Sequence, residues 1–195
     1  MKNLINEIIF NLKRSQTIVI IGIVTFIVGL LLGIFITLPD EIFEIHNTHL
    51  FCYYNEIFCA EKVGLSLLFR RIINTALLLL LVFLLSLNKF TFYLNFVVLF
   101  YRAFVLGVAG RLFITQILIT GAIMFVFLIL IQALFISLAI IVFISIIYCR
   151  NDKIDDCTLK LMVKSYIVSL IIAVIGCIIE FAFIIMLFRP LNFYF

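Results

Sequence analysis

Tryptophan is absent from these 195 residues, proline and histidine each occur twice, and charged side chains make up only 12%. The shortage of charge excludes most. A globular domain carries about a quarter of its residues as Asp, Glu, Lys and Arg. A chain that is 67% hydrophobic with so few charges has no solvated surface to offer and no room for a separate soluble domain. The missing motifs narrow function as well. There is no GxSxG, HExxH or phosphate-binding glycine loop, and no pair of acids or placed Ser/His set within an apolar segment, so hydrolase, metalloprotease, nucleotide-binding and intramembrane-protease chemistry find no support. No CxxC occurs among the five cysteines, which removes the thioredoxin-like and zinc-ribbon motifs. The 23 Phe beside no Trp read as an AT-rich coding bias rather than as physics. No enzyme activity, cofactor or nucleic-acid partner is expected.

What is present is long apolar runs. Thr17 to Thr37 reads TIVIIGIVTFIVGLLLGIFIT without a charge, and a helix needs about twenty apolar residues to cross the hydrocarbon core. The run exceeds the roughly 7–15 residues of a signal-peptide core, and no A-x-A-like site follows, so it is expected to remain as an anchor. Residues 1–16 place Leu4, Ile5, Ile8, Ile9 and Leu12 at helical spacing, which predicts an amphipathic helix on the membrane surface. Further spans are expected at 67–87, 91–113, 117–148 and 165–188. The fourth is too long for a perpendicular crossing and must tilt, break or overrun the bilayer. Asn88 and Lys89 predict a tight turn, and Gly107 and Gly110 an end or bend of the third segment. The fold class is therefore an all-α, polytopic membrane helix bundle forming one integral membrane domain, with an aromatic, acidic loop at 38–63 and a charged loop at 150–163.

Five crossings put the ends of the chain on opposite sides. With the N-terminus in the cytoplasm, the inner side holds Lys2, Lys13, Arg14, Lys89, Arg150, Lys153, Lys160 and Lys164. The outer side then holds Lys62, Arg70, Arg71, Arg111 and Arg189, with the acidic loop outside. The excess of inner positive charge favours this orientation in a plasma membrane, with the C-terminus extracytoplasmic.

Several segments together resemble the stage II sporulation protein M family of small multi-span membrane proteins. They are Val28-Gly29-Leu30-Leu31-Leu32-Gly33 late in the first span and Arg70-Arg71-Ile72-Ile73-Asn74-Thr75-Ala76-Leu77 at the start of the second. Phe104-Val105-Leu106-Gly107, with Gly110 close behind, ends the third, and Ile178-Ile179-Glu180 lies ten residues before Pro190. The resemblance covers nearly the whole chain as an ordering of segments. It implies a membrane anchor or scaffold of the engulfment machinery that holds cell-wall hydrolases at the septum of a sporulating cell. Partners would be membrane lipids and other membrane or cell-wall proteins. The rival reading is a membrane subunit of a transporter or permease, because five spans with a kinked third segment look like half of one.

Three polar or small-residue constellations remain. Gly29 and Gly33 form a GxxxG step, which serves either a homo-oligomer face or, preferably, close contact with another span of the same chain; Gly107 and Gly110 are candidates for the same use. Arg102 lies about 16 Å and Glu180 about 22 Å from the inner edge by helical rise, and an unpaired charge there costs upward of about 2.5 kcal/mol. The first expectation is that they pair with each other. Arg111 or Arg71 are other partners for Glu180, and an ion or proton path is the functional alternative. Finally, His46 and His49 precede Cys52 and Cys59 in the outer loop. Neither bond nor metal, a Cys52–Cys59 disulfide, and a tetrahedral zinc site all stay open, the spacing matching no standard zinc motif.

Overall fold

A computed structural model describes residues 15–36, 65–148 and 156–188. Residues 1–14 of the amphipathic stretch, the whole 38–63 loop with His46, His49, Cys52 and Cys59, residues 149–155 and residues 189–195 lie outside the described residues. Within them the chain is all helix: α1 (Gln16–Phe35), α2 (Leu65–Leu85), a short α3 (Lys89–Phe92), α4 (Leu94–Phe125), α5 (Ile131–Tyr148) and α6 (Asp156–Phe183). A π-helical turn, Val126–Leu130, joins α4 to α5, and a second, Ile184–Phe188, extends α6. Among the described residues, five stretches are long and apolar enough to cross a membrane: Gln16–Phe35, Leu68–Leu85, Phe90–Thr115, Ile131–Tyr148 and Lys160–Met186. The protein is a multi-pass membrane helix bundle.

Side-chain register gives the directions. Gly29 of α1 lies against Phe100 and Ala103, and Gly33 against Phe104 and Val108, so α1 and α4 run parallel. Thr75 meets Cys177, and the Phe83 ring stands edge-on to Tyr166, so α2 and α6 are antiparallel. Gln132 of α5 reaches Cys177 while Phe135 touches Gly176, which makes α5 antiparallel to α6. Successive crossings thus alternate. We call proximal the end at which α1 begins and distal the end carrying Phe35, Leu68 and Met186.

At the proximal end the α2–α3 turn forms where Asn88 and Lys89 predict it. The Asn88 side chain accepts from the Phe90 N–H at 3.2 Å and Thr91 donates to the Leu85 carbonyl at 2.6 Å. Both groups would otherwise be orphans of a helix end. Asn95 then donates to Ser86 across the hairpin at 2.8 Å.

Two expectations need correction. The third segment neither ends nor bends at Gly107 and Gly110; α4 continues through both to Phe125. The fold-over comes later. The Phe113 and Phe125 rings are 5.9 Å apart, whereas twelve residues of straight helix would separate them by about 18 Å. The glycines serve contact, the other use expected of them: a side chain on Gly107 would overlap the Leu30 carbonyl of α1, and one on Gly110 would stand 2.8 Å from the Phe125 ring. The fourth span is broken, one of the three outcomes its length allowed, its crossing beginning at Ile131 after the π turn. The helix of the last span likewise starts at Asp156, inside the stretch read as loop.

α5 is the central element, with Ile136, Ile140, Phe143, Ile144 and Ile147 buried in one cluster with Leu79, Val82, Leu99 and Ala173. α1 sits at the edge and uses Ile18, Gly22, Gly29 and Gly33 as its buried stripe. Because lipid tails are as apolar as leucine, contact between helices must be won by close approach, and glycine permits the closest. The GxxxG step therefore faces α4 of the same chain.

Candidate functional site: a polar layer in the distal half

Two helix faces bring the polar residues together. On α2, Arg71 and Thr75 are four apart, and on α6, Cys177 and Glu180 are three apart, spacings that put each pair on one face. Antiparallel contact sets these faces opposite each other. Arg71 Nη2 lies 3.5 Å from Glu180 Oε1, with the Glu180 side chain 2% and the Arg71 side chain 29% exposed. One turn deeper, the Thr75 hydroxyl and the Cys177 thiol are 3.7 Å apart. Gln132, at the distal start of the α5 crossing, donates its amide to the same sulfur at 3.3 Å. Thr75, Gln132, Cys177 and Glu180 are all buried. By helical rise from Leu68, Thr75 lies about 10 Å inside the distal edge.

Arg102 approaches from α4. Among the described residues its Nε is buried without a hydrogen-bond partner. The expected Arg102–Glu180 pair is not formed; Glu180 pairs with Arg71. Depth alone made Arg102 a candidate, but depth says nothing of which helices are neighbours. α2 lies along α6, whereas α4 makes its main contact with α1. Arg111 is likewise engaged elsewhere, its Nη1 donating to the carbonyl of Ile36 just past the end of α1. That position suits a cation, since the last carbonyls of a helix are unsatisfied and carry the negative end of its dipole.

The four glycines named from the sequence do not join this layer. Gly29, Gly33 and Gly107 form the α1–α4 crossing, and Gly110 receives Phe125. Thr75, Cys177 and Gln132 were not singled out as a set by the sequence; the i, i+4 and i, i+3 spacings of Arg71/Thr75 and Cys177/Glu180 were the available signal. Among the described residues no group of three His, Cys, Asp or Glu is placed to hold a metal, and Cys177 is a free thiol. Its contacts are a hydroxyl and an amide rather than a base. The arrangement is thus a chain of hydrogen-bond donors around one sulfur and one carboxylate. No protein-family model matches the chain, and neither a curated protein nor a solved structure was found to match it.

Proposed function

We propose that this protein is a non-enzymatic membrane scaffold similar to stage II sporulation protein M, lying in the plasma membrane with its N-terminus cytoplasmic. Its 38–63 loop and span faces recruit partner proteins, cell-wall hydrolases where the cell sporulates. One observation carries the reading: Glu180, the interior acid, faces Arg71 at 3.5 Å instead of standing alone. Intramembrane acids that relay protons or ions line open pathways; this one is held in an ion pair between two packed helices. The use of Gly29, Gly33 and Gly107 for contact within the chain fits a rigid body that presents its outer faces.

A permease-like subunit is the second reading. What favours it is the pair of π-helical turns, Val126–Leu130 and Ile184–Phe188, both at the distal end beside the polar layer, since such turns concentrate at functional sites. Crosslinking in cells followed by identification of partners separates the two. Cell-wall hydrolases among the adducts support the scaffold, an ATPase subunit supports the permease, and ion-coupled or ATP-linked flux in proteoliposomes overturns the scaffold. Orientation is tested by thiol labelling of intact cells, in which Cys52 and Cys59, under reducing conditions, are expected to react without permeabilisation.

A further inference from the structure

Among the basic residues of the five spanning stretches, only Arg102 stands near the middle of one. By helical rise it lies about 18–20 Å from each end of Phe90–Thr115. Arginine keeps its charge and presents five N–H donors, for which lipid tails offer no acceptor. Its Nε is buried without a partner, and among the described residues Arg102 forms neither a hydrogen bond nor an ion pair. Nε is the one nitrogen of its three so enclosed, and the residue is half-buried. The terminal nitrogens of the fork therefore open on the surface of the bundle.

The preceding residue marks the same surface. Tyr101 is 66% exposed at the same depth, and among the described residues its hydroxyl has no hydrogen bond. Lipid-facing tyrosines gather at the membrane interfaces, where the hydroxyl meets water. A phenol and a guanidinium at mid-depth instead suit a face covered by protein. The exposed residues Leu94, Val97 and Val105 extend that face over about three turns of α4. Both polar groups donate, and a carboxylate accepts a bidentate fork with lone pairs left for a hydroxyl.

This chain has no such carboxylate to spare. Of its ten acidic residues only Glu180 falls within a spanning stretch, and Arg71 holds it. A second copy brings the same shortage. Headgroup phosphates lie at the bilayer surface, well short of this depth. We propose that the Tyr101–Arg102 face of α4 docks a transmembrane helix of another protein, one that carries an Asp or Glu near the middle of its span. The contact goes beyond the scaffold reading and does not depend on it, since a permease subunit would use it equally.

The test places the full chain, with an acceptor dye at its N-terminus, in phosphatidylcholine vesicles at mildly alkaline pH. The probe is a donor-labelled, leucine-rich helix of about 23 residues with lysines at both ends and one Glu at its centre; the control has Leu there. The Glu peptide should reach half-maximal energy transfer at a peptide-to-lipid ratio about 5–30-fold lower than the Leu peptide, the range of an interhelical polar contact in model peptides. Arg102→Leu should make the two peptides equal. The melting temperature of the chain alone in nonionic detergent gives a second measurement. Without a partner, Arg102→Leu removes an unmet charge and should leave the Tm unchanged or higher. A lower Tm would reveal an internal partner and overturn the inference. Equal transfer by the two peptides, or a Glu preference that Arg102→Leu retains, would overturn it as well. Energy transfer between two labelled copies that Arg102→Leu abolishes would give the face to a second copy and refute the choice of partner.

Discussion

α1 and α5 look alike as sequence and behave oppositely as structure. Both are uninterrupted apolar helices, and α1 is the more apolar of the two, yet 22% of the α1 span is buried against 67% of the α5 span. In water the greasier helix would be the inner one. In lipid the apolar surface gains nothing by leaving the solvent, so burial follows shape and polarity instead. The buried residues of α1 are three glycines and Ile18. α5 buries Gln132, Ser137 and Ser145 along with its isoleucines, and its two serines donate to carbonyls four residues back at 2.7 Å, so they bring no unmet polar group into the core.

The sharpest way to break this contrast is at the glycine stripe. A side chain on Gly33 would overlap the Phe104 carbonyl and stand 2.9 Å from the Val108 nitrogen, and backbone cannot move aside as a side chain can. Gly33→Leu should destabilise the bundle by more than about 3 kcal/mol, read as the loss of folded protein in a detergent-unfolding titration. Gly22→Ala, which meets only the Ile141 side chain at 3.0 Å, should be far milder.

The ion pair comes next. Removing one member of a fully buried pair costs about 3–5 kcal/mol; with Arg71 29% exposed, Glu180→Gln should cost about 2 kcal/mol after discounting for that exposure. The double variant with Arg71→Leu should recover part of the loss, whereas Glu180→Gln with Arg102→Leu should simply add. Recovery with Arg102 instead would reassign the pair.

Isoleucine truncation then compares the two helices directly. Ile140 of α5 is 0% and Ile27 of α1 is 48% exposed. Ile140→Ala should cost about 1–3 kcal/mol through lost contacts and the cavity, and Ile27→Ala no more than about 0.5 kcal/mol. Equal losses would mean that the exposed face of α1 is covered by another protein rather than by lipid. The smallest effect is expected at Thr75→Val. Interhelical polar contacts in membranes average about 0.6 kcal/mol, and this one is a long hydroxyl–thiol contact of 3.7 Å. Tm shifts of a degree or two by circular dichroism should register it.

Legibility in the sequence differed between fold and site. The span at 17–37 and the turn at Asn88 and Lys89 were readable because charge exclusion and turn chemistry are local. The use of Gly29 and Gly33 against another span was readable in kind, and their partner, Gly107, was read both as a packing residue and as a bend, of which the packing holds. The break before Ile131 was not, because nothing in a uniformly apolar run from 117 to 148 marks where the helix widens. Glu180 was singled out, and its partner Arg71 was named only as an alternative to Arg102. Counting residues fixes the height of a side chain in the bilayer, whereas Arg71 and Arg102 differ in which way their helices face. The His46, His49, Cys52 and Cys59 constellation lies outside the described residues.

The sequence by itself determined that this chain is a membrane protein with five crossings, because an unpaired backbone and a long apolar run have only one solution in a bilayer, the spanning helix. Tertiary structure alone decided which helix is central, which glycine meets which carbonyl, and that Glu180 is taken by Arg71 rather than by Arg102. Those outcomes depend on the rotation and adjacency of helices, and in lipid no gradient of hydrophobicity along the chain encodes either one.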